Sequence, residues 1–145
     1  MEKYSAVLKK RARAFLESAK ADFDRGYYDL VLFHVEQFLQ LYLKYLLYLR
    51  LGDYPKTHSI TRLLKDLRRI YREEILEDFY EENLEMIHLL EEAHITSRYL
   101  PREYDEDIAR RALEFAEKAL EVMECLENVH RSSYRECGKA EGIFR

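Results

Sequence analysis

The chain has 145 residues, 48% of them apolar and 36% charged, with only 4 Gly and 2 Pro. That length fits one domain, and the composition excludes collagen-like, low-complexity and disordered chains and leaves few turn formers for an all-β fold. Lys+Arg 24 against Asp+Glu 28 gives a net charge of −4, which excludes a surface that is basic all over.

A first helix is predicted over residues 3–25, where Tyr4, Leu8, Ala12, Phe15, Ala19 and Phe23 recur every three or four positions on one face. Lys9, Lys10, Arg13 and Lys20 fall mostly opposite, and Gly26 supplies a C-cap or turn. A second helix follows over 27–51. Between Phe38 and Leu51, eleven of fourteen residues are apolar or Tyr. A helix this apolar all round is buried on more than one side, either at the centre of a bundle or at a subunit interface. Gly52, Asp53, Tyr54 and Pro55 end it.

Thr57 or Ser59 caps a short third helix to residue 71, with Ile60, Leu63, Leu64, Leu67 and Tyr71 inward. A fourth is predicted over 78–99, with Tyr80, Leu84, Ile87, Leu90 and Ala93 as its apolar side and Pro101 as its breaker. The last starts near Asp105 and keeps the cleanest period, through Ile108, Ala112, Phe115, Ala119, Met123 and Leu126. The expectation is an all-α fold: an up-and-down antiparallel four-helix bundle with an additional short helix over 1–130, and a flexible or frayed tail over 131–145.

The longest membrane-like stretch, 38–51, is interrupted by Gln40, Lys44 and Arg50 and is too short to span a bilayer, which takes about 20 apolar residues. The N-terminus has no apolar core of signal-peptide type. Cys125 and Cys137, with eleven residues between them, fit no zinc signature and make a poor disulfide framework. A soluble, cytoplasmic protein is expected.

Charge is segregated. Residues 56–72 carry six basic residues and one acidic, Asp66, whereas 73–92 carry nine acidic residues and no Lys or Arg. Arg62, Lys65, Arg69 and Arg72 share one stripe of the third helix. The stripe is either a phosphate-binding strip or a solvated face complementing the acidic segment beside it.

Glu-x-x-His occurs three times, at Glu85/His88, Glu91/His94 and Glu127/His130. Di-iron bundles need that motif on two helices and an inward Glu from each of the other two. Here two copies share one helix, the third lies at the fraying end of the last, and the apolar stripes of the remaining helices carry no obvious inward Glu, so neither metal nor cofactor is expected. Glu91, His94 and Arg98 continue the apolar line of the fourth helix, as a site or as a local ion-paired cluster. Lys44 stands amid apolar residues and either snorkels or presents a cation in a cleft. His58 is either a ligand-facing imidazole or a packed one. The chain has no phosphate loop, nucleophile elbow or visible catalytic triad.

The order FHVEQFLQLYLKYLLYLRLG, KTHSITRLLKDL and HITSRYLP, followed by an Ala-rich helix, resembles the HEPN domain over residues 5–127. Its telling elements are Gln37, Lys44, Thr57-His58 and Ser97-Arg98-Tyr99. The resemblance implies a four-helix bundle, a homodimer, and a role in nucleotide binding, in metal-independent RNA cleavage through Arg-x(4–6)-His, or beside a nucleotidyltransferase partner. This chain departs from the nuclease pattern: Arg50 and His58 have seven residues between them, and Arg98 meets only Tyr104 at that range. Without that histidine, proton transfer at the ribose 2′-hydroxyl lacks its usual agent. The implied role is therefore a non-catalytic nucleotide- or RNA-binding module with Lys44, His58, Arg98 and Tyr99 as its cleft. The alternatives are a divergent ribonuclease, in which Arg98 and Tyr104 or residues joined across a dimer replace the standard pair, and a purely structural dimerisation subunit. Gln40 stands where many relatives carry Glu, which leaves the ligand's identity open.

Overall fold

One helix, α2 (Tyr28–Leu51), touches four of the others, and a line through Leu30, Phe33, Gln37, Leu41, Lys44 and Tyr48 is less than fully buried. The computed structural model describes residues 2–99 and 103–131, and these are all helical apart from short connections. Around α2 lie α1 (Glu2–Asp24), α3 (Ile60–Tyr71), α5 (Leu84–Tyr99) and α6 (Glu106–Arg131). A short α4 (Glu74–Glu82) packs on α3 and α6. The four long helices α1, α2, α5 and α6 form the bundle, and the all-α expectation holds.

Val31, Leu32, Val35, Phe38, Leu39, Tyr42, Leu43 and Leu46 of α2 are almost fully buried within this one chain. Most of the helix's apolar surface is used in the bundle's core, while Leu30 and Leu51 are exposed and Phe33 and Leu41 half-buried. Gly52 ends it at φ +72°, its N–H bonded to Tyr48 O at 2.8 Å. A glycine holds that left-handed cap without the Cβ clash that other residues meet.

Two expectations are corrected. The helix read over 78–99 is two helices divided at Asn83, whose side-chain amide donates to Phe79 O (2.8 Å) and whose N–H donates to Tyr80 O (3.3 Å). An Asn side chain competes with the backbone ladder in this way and ends a helix without Gly or Pro. Glu74 and Glu77 sit in the first turn of α4, where the helix dipole favours negative charge. The buried line of α1 is also rotated from the one expected: it runs Leu8, Ala12, Leu16, Ala19, while Tyr4 is 45% exposed. Packing on both α2 and α6 moves the line toward Leu16.

The start of α3 is Ser59, whose Oγ accepts from Arg62 N at 3.1 Å, as the cap expectation had it. Its end is Arg72, held at φ +49°. Cys125 on α6 is disulfide-bonded, contrary to the expectation for two cysteines so spaced, and its partner lies outside the described residues. From residue 132 the expected tail lies outside the described residues. No described helix is long and apolar enough to cross a membrane.

Candidate functional site

Where α2, α5 and the loop before α3 meet, a polar seam crosses the apolar core. Glu36 on α2 is fully buried. Its Oε1 accepts from Gln37 Nε2 at 2.7 Å and its Oε2 from Gln40 Nε2 at 2.5 Å, while His94 Nδ1 of α5 lies 3.1 Å from Oε1. The seam continues at both ends. On one side Lys44 Nζ donates to Gln40 Oε1 at 3.4 Å and stands 5.6 Å from the centre of the Tyr54 ring. On the other, His94 stacks on His58 with ring centres 5.1 Å apart. Lys44 is half-buried and His58 exposed, so the buried carboxylate connects two groups that reach toward solvent.

Burial pushes the Glu36 carboxyl above its ordinary value, against the opposing pull of Gln40, His94 and Gln37. Burial also pushes the Lys44 ammonium down, with the Glu36 charge working the other way. When Glu36 is ionised it accepts from His94, which places that ring's proton on Nδ1 and leaves Nε2 as the acceptor nitrogen. Beside Lys44 lies an aromatic corner. Tyr4 and Tyr54 share a hydroxyl–hydroxyl hydrogen bond, and Tyr4 packs on Tyr48 with ring centres 5.0 Å apart. That bond first, and burial second, pushes the Tyr54 phenol up to about 12.

One turn before His94, Glu91 turns instead to α3. Its Oε1 accepts from Ser59 Oγ (3.0 Å) and Thr61 N (2.6 Å), a carboxylate at a helix N-terminus. Glu91 thereby holds the start of α3, and with it the adjoining His58, against α5. Members of the Glu-x-x-His motifs thus face different partners: Glu91 faces α3, His94 faces Glu36, and Glu127 is enclosed by Tyr42, Tyr45 and Lys9. No cluster of three metal-ligating side chains is present among the described residues. The expectation of no inward Glu is corrected, since Glu36 and Glu127 are both buried in the core.

Of the cleft residues expected from sequence, Lys44 and His58 lie at the two ends of this seam. Arg98 lies one turn of α5 beyond His94, and the side chains of Arg98 and Tyr99 lie outside the described residues. Tyr104, offered as a replacement for the missing histidine, is buried in the core at 6% exposure. Glu36 escaped sequence reasoning, yet it had a signal: Glu36, Gln40 and Lys44 recur every four residues, a polar line on an otherwise apolar helix.

The basic stripe of α3 also resolves. The group that complements the acidic segment is not in the stripe. It is Arg68, whose guanidinium clasps Glu77 with two bonds of 2.9 and 2.6 Å and lies over the Tyr80 ring. Arg62 pairs with Asp66 on its own helix at 3.4 Å, and Arg72 donates to Arg69 O. Lys65 and Arg69 are exposed and form no ion pair among the described residues.

No curated protein and no solved structure matches this chain significantly. The family model described as HEPN domain matches residues 5–126, the span that contains both the bundle and the seam. By that match the chain belongs to the HEPN family, a family of nucleotide- and RNA-related modules.

Proposed function

We propose that this protein is a non-catalytic nucleotide- or RNA-binding module whose ligand phosphate sits between Lys44 and His58, in a cleft that includes Arg98 and Tyr99. The observation that carries this reading is the contact chain Lys44–Gln40–Glu36–His94–His58, which anchors two exposed-end groups on one buried carboxylate. Lys44 supplies a point charge, Arg98 supplies a fork that fits phosphate oxygens, and the Tyr99 and His58 rings can stack on a base. The module acts as a homodimer beside a nucleotidyltransferase partner, as its family suggests.

A nucleotide panel read by thermal shift tests it. A ligand at about ten times its Kd raises the melting temperature by roughly 3–6 °C. Lys44→Ala, His58→Ala and Arg98→Ala should each abolish that rise. No shift at millimolar nucleotide sinks this reading and leaves the structural dimerisation subunit. A second reading is a divergent ribonuclease. The His58–His94 stack favours it, because imidazole is the side-chain group that most often moves protons at a reacting hydroxyl, and two lie adjacent here. Metal-free cleavage of RNA that disappears in His94→Ala would establish that reading in place of the first.

A further inference from the structure

The α3 stripe is a cationic surface in which Arg62 pairs with Asp66 while Lys65 and Arg69 form no ion pair among the described residues. The acidic neighbour is satisfied by Arg68 through Glu77, from outside the stripe. Lys65 and Arg69 project from the exposed side of α3, while Ile60, Leu63, Leu64, Leu67 and Tyr71 are buried on the other. The stripe begins where the seam ends. Ser59 caps α3 immediately after His58, and Glu91 clamps that cap to the helix that bears His94. From Arg62 to Arg69 the line advances seven residues, about 10 Å at the helical rise, and Arg72 follows at the cap of the helix.

We infer that Arg62, Lys65, Arg69 and Arg72 form a track for the phosphate backbone of a single-stranded RNA, one end of which enters the Lys44–His58 cleft. The inference rests on reading that cleft as a nucleotide site, and it adds that the ligand is a strand rather than a mononucleotide. The chemistry favours this occupant. A row of cations at regular spacing on a rigid helix matches a polymer whose charges also recur regularly. None of the large exposed apolar residues, Tyr4, Val7, Tyr27, Leu30, Leu51 and Ile95, belongs to α3. A helix that lies in a membrane surface, or docks an apolar partner face, needs such residues beside its cations. At the head of the track, the exposed His58 ring offers a face for a base.

The test compares a labelled single-stranded RNA of about 12 nucleotides, within the usual range of single-strand site sizes, with a mononucleotide across a salt series. In the Lys65→Ala/Arg69→Ala variant, oligomer affinity should fall about 25-fold near 0.1 M salt, and the slope of log K against log salt should drop by about 1.4, or 0.7 per lost phosphate contact. Mononucleotide affinity should stay unchanged. The charge-conserving Lys65→Arg/Arg69→Lys variant should bind like the parent. Both pairs are exposed, and circular dichroism confirms their folding.

An unchanged oligomer affinity and salt slope in the Ala variant overturns the track. So does an equal loss for the mononucleotide, or a variant that alters only binding to anionic vesicles or self-association. The two readings fail separately. Mononucleotide binding with no gain for the oligomer leaves the cleft and removes the track. Oligomer binding that depends on Lys65 and Arg69 without any mononucleotide binding keeps the track and removes the cleft.

Discussion

Glu36 and Glu127 are both buried in the core, 0% and 3% exposed, and both touch α2, yet their carboxyls are shifted in opposite directions. Glu127, on α6, takes Tyr42 OH at 3.0 Å, Tyr45 OH at 2.6 Å and Lys9 Nζ at 2.9 Å. Burial works to raise its carboxyl, but the bonds from Tyr45, Lys9 and Tyr42 and the Lys9 charge prevail and hold it below the ordinary value. Glu36 is held by neutral amides and an imidazole, and there burial prevails. Near-equal exposure therefore does not fix the direction in which a core carboxyl shifts. The charge and number of its donors do. The hydrogen bonds of Glu127 to Lys9, Tyr42 and Tyr45 tie α1, α2 and α6 together. The partner set of Glu36 opens at both ends toward groups that can meet a ligand, the arrangement in which a displaced pKa points to function.

The sharpest test applies one isosteric change to each carboxylate. Glu127→Gln removes the charge that satisfies two phenols and an ammonium, and should cost about 2–4 kcal/mol in denaturant unfolding at neutral pH. Glu36→Gln removes a charge that burial already disfavours, and should change stability by less than about 1 kcal/mol. Equal losses in the two variants would end the comparison.

Their pH dependences should also run in opposite directions. Glu127, with its folded pKa lowered, contributes stability that is present above the unfolded value near 4.5 and is lost as pH falls through the depressed folded value. Glu36, with its folded pKa raised, contributes stability that is present below about 4.5 and is lost as pH rises through the raised value. Unfolding free energies measured from acid to neutral pH should show Glu36→Gln flattening the neutral-side decline and Glu127→Gln flattening the acid-side one.

Two smaller changes probe the frame around the open seam. Ser59→Ala removes the α3 cap and one of the two donors to Glu91, and should cost about 1 kcal/mol, with the His58 ring resonances moving away from their stacked shifts. Arg72→Gly relieves a left-handed backbone at the end of α3, and should stabilise the protein by roughly 0.5–1 kcal/mol in the same assay.

Much of this molecule was legible in its sequence. The inward face of α3, the Ser59 cap and the Gly52 stop follow from local chemistry that tertiary contacts did not override. The break at Asn83 was missed because periodicity alone runs through it, and the competition of an Asn side chain for the ladder leaves no gap in the apolar pattern. The line of α1 was misplaced because its Ala and Leu positions are chosen by two neighbours at once. In the site, Lys44 and His58 stood out as polar exceptions, and each was found at an end of the seam. Glu36 did not stand out, since its role depends on His94, fifty-eight residues away in sequence. Spacing also hid which cation answers the acidic helix: it grouped the four stripe residues, but only packing selects Arg68, against Glu77 nine residues on.

The central place of α2 bears on how the molecule comes apart. With α1, α3, α5 and α6 all resting on it, none of them can leave without exposing part of the buried face of α2. Its amides should be the slowest in the protein to exchange with deuterium, opening only on global unfolding, whereas α3 and α4 at the margin exchange through smaller, local openings. The seam lies between those regimes. Glu36 sits on the slowest-exchanging helix and His58 on a connection to a marginal one, so a ligand that bridges Lys44 and His58 would register as slowed exchange in α3 and leave α2 as it was.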